Sequence, residues 1–225
     1  RANDELPQAS AGNMVMTTKP QFVPNEAVKV KINNTTMSVR LIDSVGYMVD
    51  GALGAYENDK PRLVKTPWSD EAIPFVQAAV IGTEKVIKDH STIAIAVTTD
   101  GSFTDIPREN YVEAERRTIK QLKDTGKPFV IILNTNNPNE DKTKKLADNM
   151  QNEYESPVIV MNVNELKKED VDRIMTEILK EFPLEVVNIK MPKWLKPLST
   201  DNPTVKEILD TVMDAIGEVG RIGEY

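Results

Sequence analysis

The sequence has no cysteine, a single histidine and no apolar run that approaches the roughly 18 residues of a membrane-spanning helix. Without cysteine, disulfides and thiolate metal ligands are excluded, and a zinc site would have to rely almost wholly on carboxylates, which is unusual for zinc. The polar opening RANDELPQASAGN also lacks the apolar centre of a signal peptide. Because the chain starts at Arg1, we expect it to be the downstream part of a longer protein.

A surplus of basic residues is missing as well. The chain has 28 Lys and Arg against 35 Asp and Glu, so its net charge of -7 provides no basic surface for nucleic acid. Its 40% hydrophobic and 28% charged residues are typical of a globular protein rather than an unfolded one. With 225 residues it is long enough for one large α/β domain, alone or with an appendage.

Apolar periodicity predicts the order of elements along the chain. Alternation in Val28–Asn33 and Thr36–Asp43, with a turn at Asn33-Asn34-Thr35, predicts an antiparallel hairpin. The segment from Ser44 to about Asp70 has no clear period and is predicted to be a long loop. The remainder alternates between helices and strands, which predicts a three-layer, mostly parallel sheet with helices on both faces. The predicted helices are Glu71–His90, Arg108–Asp124, Glu140–Tyr154, Lys168–Phe182 and Thr204–Gly220, and the predicted strands are Thr92–Thr99, Phe129–Asn134, Pro157–Val163 and Glu185–Lys190.

The tetrapeptide Asp43-Ser44-Val45-Gly46 lies at the end of the apolar strand VRLID. An aspartate there can hold Mg²⁺, mostly through water, and a glycine N–H can approach a γ-phosphate because no Cβ stands in the way. The spacing D-x-x-G also occurs where an ordinary strand ends in a turn. Its place after a hairpin favours the phosphate-sensing interpretation, with Asp43 as a metal ligand and Gly46 as a nucleotide contact.

Thr17 and Thr18 lie just upstream of the hairpin. In a P-loop GTPase the loop at this place is a switch segment, in which a threonine closes on Mg²⁺ and the γ-phosphate. Paired threonines are otherwise common in strands and turns, so the hypothesis depends on Asp43 and Gly46 in register with them. Thr17, Thr18 and Asp43 are therefore the candidate catalytic residues, and Thr18 and Asp43 are the candidate Mg²⁺ ligands.

Two positions depart from the guanine-nucleotide pattern. Tyr47 follows Gly46 where Ras-like enzymes carry a glutamine, so another group must orient the attacking water. Asn134-Thr135-Asn136-Asn137 follows the strand FVIIL where those enzymes carry N-K-x-D. An asparagine cannot accept hydrogen bonds from two guanine N–H groups as that aspartate does. Asn134 and Asn137 are therefore candidate base-site residues that permit adenine.

Other polar residues are predicted to have structural roles. The single histidine, His90, stands at a predicted helix end and is expected to cap the C-terminus of that helix. The acidic pairs Glu113 with Glu115 and Glu140 with Asp141 are expected to lie on solvated helix faces.

The chain resembles the stage IV sporulation protein A family, the spore-coat basement ATPases of endospore-forming bacteria. The resemblance is carried by DELPQ, VMTT-x-P-x-FVPNEA, RLIDSVGY, TPW followed by IPF, IGTEKVI-x-x-HSTIAI, TTDG and GKPF. These motifs extend over the chain up to about Trp194, and a series of this length is highly specific. From Lys196 onward the resemblance is weaker.

The resemblance implies a P-loop NTPase fold of the translation-factor GTPase lineage that uses ATP and Mg²⁺. Thr17 and Thr18 match the sensor-threonine position of the family, and Asp43 matches its Walker B aspartate. The Walker A loop, G-x-x-x-x-G-K-S/T, occurs nowhere in the 225 residues. We therefore expect the chain to lack the first strand and the phosphate-binding loop, and to bind nucleotide weakly by itself.

The resemblance also implies a biological role: ATP hydrolysis drives self-polymerisation into a shell on the outer forespore surface, in the cytoplasm of the mother cell. The implied partners are further copies of the protein, other spore-coat morphogenetic proteins and a small amphipathic membrane-anchor protein, the last through regions outside this chain. A nucleotide-independent scaffold and a guanine-nucleotide switch are the alternatives. The expected organisation is an ATPase domain core over 1–190, followed by a linker and helix over 191–225.

Overall fold

The computed structural model describes residues 21–32, 35–66, 69–183, 197–199, 201–217 and 220–224. Contacts within the chain divide it into two compact units, Arg1–Thr176 and Glu177–Tyr225. The boundary predicted at residue 190 lies in a segment outside the described residues, as do Thr17, Thr18 and the predicted strand Glu185–Lys190. No helix in the described ranges combines the length and apolar composition that a membrane-spanning segment requires.

Nine strands and five α-helices are assigned in the described residues. The strands are β1 Gln21–Ile32, β2 Thr35–Asp43, β3 Tyr56–Glu57, β4 Lys60–Pro61, β5 Leu63–Thr66, β6 Ser69–Pro74, β7 Ala94–Thr99, β8 Phe129–Asn134 and β9 Val158–Met161. The helices are α1 Phe75–Lys85, α2 Val112–Thr125, α3 Asp141–Tyr154, α4 Lys168–Lys180 and α5 Pro203–Gly217.

The predicted antiparallel hairpin is confirmed. Strands β1 and β2 pair from Ile32 opposite Thr35 to Gln21 opposite Asp43, with an irregularity between Val23 and Val28. The register places Asp43 at the open end of the hairpin, next to the point where the chain enters β1.

The predicted long loop over Ser44–Asp70 is wrong, because two small antiparallel hairpins lie in and just beyond it. Strand β3 pairs with β4, and β5 pairs with β6. The second hairpin also moves the start of the next helix from Glu71 to Phe75, since Pro74 pairs with Leu63 in β6. The physical reason is that the residue before a proline is held in an extended conformation, so the helix begins only after Pro74.

A parallel sheet forms the centre of the first unit, in the order β7-β8-β9. Strand β8 lies in the middle, and its apolar residues are buried on both faces of the sheet, as the run FVIIL predicts. The register aligns Thr99 with Asn134 and Asn134 with Met161. The carboxyl ends of the three strands therefore meet at one edge, where open α/β sheets usually bind ligands.

Helices α2 and α3 cover one face of this sheet. The core there consists of Ile87, Ala96, Ile119, Leu122, Phe129, Ile131, Leu133, Ala147, Met150 and Tyr154. On the opposite face Val130 and Ile132 are buried, whereas Ile95 and Val97 of β7 are 38% and 62% exposed. Within the described part of the chain β7 pairs only with β8, so its other edge is open.

The second unit contains the end of α4 and helix α5. The backbone N–H of Ile222 donates to the carbonyl oxygen of Phe182 at 3.0 Å. Pro183 and Arg221 form an isolated antiparallel bridge, and Arg221 makes an ion pair with Glu181. These contacts hold residues 221–222 against residues 181–183, directly after the C-terminus of α4.

Candidate functional site

The Asp43–Gly46 segment begins at the open end of the hairpin. Asp43 is exposed as a residue, but partial burial of its carboxylate raises its pKa more than a hydrogen bond from the Ser44 backbone lowers it. Among the described residues, no basic side chain forms an ion pair with Asp43. A partly desolvated carboxylate without a cation partner suits a hard divalent ion, which prefers carboxylate and water oxygens.

Gly46 adopts a φ of +77°, in the left-handed region. A Cβ added there would meet nothing within 4 Å, so the need for glycine comes from the backbone conformation and not from crowding. The left-handed turn lets the chain change direction directly after the hairpin.

Tyr47 follows this turn and is buried. Its hydroxyl donates to Oε1 of Gln121 in α2, and the guanidinium carbon of Arg117 lies 4.1 Å from its ring centroid. Burial raises the pKa of Tyr47 above its ordinary value, so the hydroxyl stays protonated and acts as the donor. The Tyr47 side chain is therefore held by helix α2.

A second group of polar residues lies at the carboxyl ends of β7 and β8. Asp100 accepts hydrogen bonds at Oδ1 from the backbone N–H and the hydroxyl of Ser102, at 3.0 and 2.6 Å, and at Oδ2 from the Thr135 hydroxyl at 2.6 Å. Ser102 also bonds Asn136, whose backbone N–H and side-chain amide lie 2.9 and 2.6 Å from the Ser102 hydroxyl and carbonyl oxygens. These bonds connect the loop after β7 to the loop after β8.

The candidate base-site residues belong to this group. Oδ1 of Asn134 accepts from the backbone N–H of Val163 at 3.0 Å, which ties the end of β8 to the chain after β9. Thr135, the residue after Asn134, is fully buried. Asn137 is exposed, and its backbone N–H donates to the Thr135 hydroxyl at 3.0 Å. Asn134 is thus a structural link, and Asn137 presents its amide to solvent.

A buried ion pair lies directly under this edge of the sheet. Nη2 of Arg108 lies 2.9 and 2.8 Å from the two carboxylate oxygens of Glu115. Glu115 also accepts from the hydroxyls of Thr98 at 2.6 Å and Tyr154 at 2.7 Å. The prediction that Glu115 lies on a solvated helix face is therefore wrong, because its spacing from Ile119 and Leu122 puts it on the buried face of α2.

His90 has a different contact from the one predicted. Its ring lies edge-on to Phe22, with centroids 6.0 Å apart. The π-helical turn Val86–His90 continues α1, and its end is instead capped by Lys127, whose Nζ lies 2.7 Å from the carbonyl oxygens of Ile87, Lys88 and Ser91. Three ammonium N–H groups match three carbonyl acceptors, so Lys127 supplies the positive charge expected at a helix C-terminus.

The two candidate groups are linked through the loop after β7. Nδ2 of Asn110 donates to the carbonyl oxygen of Asp50 at 3.0 Å, which connects this loop to the chain that follows Gly46. In the described ranges no hydrogen bond joins Asp43 or Gly46 directly to the Asn134–Asn137 segment. The sequence-based prediction missed Asp100 and Thr135, although the meeting of neighbouring strand ends in a parallel sheet is a signal that would have indicated Asp100.

No group of three or more His, Asp or Glu side chains able to hold a metal occurs in the residues that the structure describes. A Mg²⁺ ion at Asp43 would therefore depend on nucleotide phosphates and water for most of its ligands, which is the usual arrangement for this ion.

Comparisons with known proteins identify the family. The family described as "Stage IV sporulation protein A, ATPase domain" matches residues 1–183. The chain is similar to proteins named stage IV sporulation protein A: 47% identical to that of Clostridioides difficile (strain 630), 43% to that of Bacillus anthracis and 41% to that of Bacillus subtilis (strain 168), over 223 residues each.

Each of these alignments covers 99% of this chain and 45% of the relative, so the chain spans about half the length of the curated relatives it matches. No solved structure matches it significantly. Since the family match extends over most of the sequence, the chain belongs to the stage IV sporulation protein A ATPase-domain family.

Proposed function

We propose that this chain is part of an ATPase whose hydrolysis of ATP to ADP and phosphate drives self-polymerisation of a sporulation protein. The observation that carries the proposal is the Asp43–Gly46 segment, in which an exposed carboxylate that has no cation partner among the described residues is followed by a left-handed glycine. The family membership supports the nucleotide, and the relatives' names support a role in sporulation.

In this proposal Asp43 and Thr18 hold Mg²⁺, mostly through water, and Thr17 and Gly46 face the γ-phosphate. When bound, the ion would neutralise charge on the β- and γ-phosphates. Gln21 is the Cα partner of Asp43, and Thr18 precedes Gln21 by three residues. Three residues span at most about 10 Å, so the chain allows both candidate ligands to reach one ion.

For the fold, we propose the P-loop lineage with a further strand beside β7. In the part of the chain that the structure describes, the outer edge of β7 is unpaired and Ile95 and Val97 of this strand are exposed, which supports the proposal because an apolar edge strand is normally paired or covered. No P-loop motif occurs in the 225 residues. We accordingly expect this chain alone to bind ATP more weakly than the micromolar range, which calorimetry can test.

We propose that the base site selects adenine through Asn137. Its exposed amide has a donor and an acceptor side by side, which match N1 and the N6 amino group on the Watson–Crick edge of adenine. Asn137→Asp would present two acceptors, which match the N1–H and N2 amino group of guanine. We expect this variant to lower the ratio of ATP to GTP affinity, and an unchanged ratio would exclude Asn137 from the base site.

The experiment that tests the proposed function is calorimetric titration of the full-length protein with Mg·ATP. Asp43→Ala should weaken binding at least tenfold, since a charged ligand of the ion is lost. Asp124→Ala, which removes an exposed carboxylate near the end of α2, is the matched control and should bind like the parent protein. Parent protein that binds no ATP would point to the nucleotide-independent scaffold, and preferential binding of GTP would point to the guanine-nucleotide switch.

We further propose that the partners are other copies of the protein, other spore-coat proteins and a small amphipathic membrane-anchor protein, with assembly on the outer forespore surface. The relatives that share the sporulation name support this setting. We propose that the contact with the anchor protein is made by regions outside this chain.

A further inference from the structure

The aromatic side chain beside Gly46 has a network of partners on two helices. Tyr47 donates from its hydroxyl to Gln121, and Nε2 of Gln121 donates to Glu84 at 3.0 Å. Arg117 stacks on the ring of Tyr47 and lies 3.9 Å from the Glu84 carboxylate. Both the face and the polar end of Tyr47 are thus held, by α2 directly and by α1 through Glu84.

This network holds a stretch of backbone that has no strand or helix partners of its own. The segment Ser44–Val49 has no regular secondary structure, and Gly46 in its middle has the widest conformational choice of any residue. Beyond the tyrosine, the carbonyl of Asp50 is bound by Asn110. The segment is therefore tethered one residue and four residues after Gly46.

We propose that Tyr47 is a positioning residue that anchors the Asp43–Gly46 segment on α1 and α2, so that the segment meets the γ-phosphate in one arrangement. The inference rests on the proposed function, because it assumes that this segment contacts ATP. It also assigns the position of the Ras-type glutamine a different role. The Tyr47 hydroxyl is already engaged by Gln121, so it does not orient the attacking water.

The role has a specific consequence for nucleotide binding. ADP lacks the γ-phosphate and therefore does not contact Gly46, whereas ATP does; Asp43 is held by its pairing in the hairpin with either nucleotide. Loosening the anchor should therefore weaken binding of the triphosphate and slow turnover while leaving binding of the diphosphate unchanged. A residue that only stabilises the fold would change the affinity for both nucleotides together.

The test uses the full-length protein with Tyr47→Phe, Gln121→Ala and the double variant. Tyr47→Phe removes the hydroxyl and keeps the ring under Arg117, and Gln121→Ala removes the acceptor. Tyr154→Phe is the matched control, because it removes another buried tyrosine hydroxyl, bonded to Glu115, away from the segment. Affinities for Mg·ADP and for the β,γ-imido analogue of Mg·ATP, the rate of hydrolysis and the melting temperature are measured for each.

We expect Tyr47→Phe and Gln121→Ala each to weaken binding of the analogue and to lower kcat by about 3- to 10-fold, the effect of one hydrogen bond. ADP affinity should stay within about twofold, and the double variant should be no worse than either single one. Tyr154→Phe should leave the ratio of the two affinities unchanged.

Two outcomes would overturn the inference. If the affinities for ADP and for the analogue fell equally, Tyr47 would have only a structural role. If the affinities and kcat were unchanged in both variants, the network would have no role in nucleotide binding or turnover. In either case the effect of Asp43→Ala on Mg·ATP binding tests the proposed function independently of Tyr47. If the parent protein itself neither binds nor hydrolyses ATP, both proposals fall together.

Discussion

Replacing Glu115 with alanine should lower the free energy of unfolding of the chain by about 3–5 kcal/mol. The carboxylate side chain is only 3% exposed and is surrounded by Arg108, Thr98 and Tyr154. Removing it leaves the Arg108 charge, 19% exposed, without its buried counter-ion and leaves two hydroxyls without their acceptor. Both changes carry the desolvation penalty of an unsatisfied buried group.

The size of the effect follows from how three side chains, those of Arg108, Thr98 and Tyr154, share the Glu115 carboxylate. Separate charged hydrogen bonds of about 1.5–3 kcal/mol each would sum to more, but groups in one network are not additive. The loss of about 3–5 kcal/mol that is typical of breaking one buried ion pair is therefore the better estimate. Against a typical domain stability of about 5–15 kcal/mol, this loss would be a large part of the total.

Urea denaturation of the parent chain and of Glu115→Ala gives the difference directly, with Glu115→Gln as an isosteric variant that should cost about half as much. Arg108→Met, Glu115→Leu and the variant with both changes complete a double-mutant cycle. The double variant should cost about 1–3 kcal/mol less than the sum of the single changes. A loss below about 1 kcal/mol for Glu115→Ala would refute the reasoning.

Three further predictions concern the candidate site itself. Gly46→Ala should destabilise the chain by about 1–2 kcal/mol through its left-handed φ of +77°, and a smaller loss in urea denaturation would mean that the turn relaxes freely. Because burial raises the pKa of Asp43, its charge opposes folding at neutral pH and this penalty disappears as pH falls through the raised pKa. Asp43→Asn should therefore raise the melting temperature of the nucleotide-free protein at pH 7 while weakening Mg·ATP binding, and a lower melting temperature would contradict this. Burial raises the pKa of Asp100, but hydrogen bonds from Ser102 and Thr135 outweigh it, so the pKa is lowered overall. The destabilisation caused by Asp100→Asn should thus have its full size above about pH 5 and should decrease below about pH 4. A destabilisation that increases as the pH falls would contradict this.

The parts of the fold that could be predicted from sequence are those with strong local signals. The run FVIIL predicts a central strand because only a strand buried on both faces is apolar at every position. The hairpin and the helices over 112–125 and 141–154 follow from their periods of 2 and 3.6. Strands of two residues, such as Tyr56–Glu57, have no period, so pairing inside the predicted loop could not be inferred.

The candidate site likewise contains residues that could be predicted from the sequence and residues that could not. Asp43 and Gly46 could be proposed from spacing because both stand in one short segment after a strand. The burial of Glu115 could not be predicted, since the positive charge that compensates the desolvation of its carboxylate comes from Arg108, seven residues away in a 3₁₀ turn. The side chain of Thr135 likewise has its partner in Asp100, at the end of a different strand.

The most direct test of the central claim is to measure phosphate release and sedimentable polymer together in the full-length protein, with Thr17, Thr18 and Asp43 each changed to alanine. We predict that the parent protein hydrolyses ATP and forms polymer, and that each variant loses hydrolysis and, with it, nucleotide-dependent polymer. Normal hydrolysis and normal polymer in all three variants would contradict it.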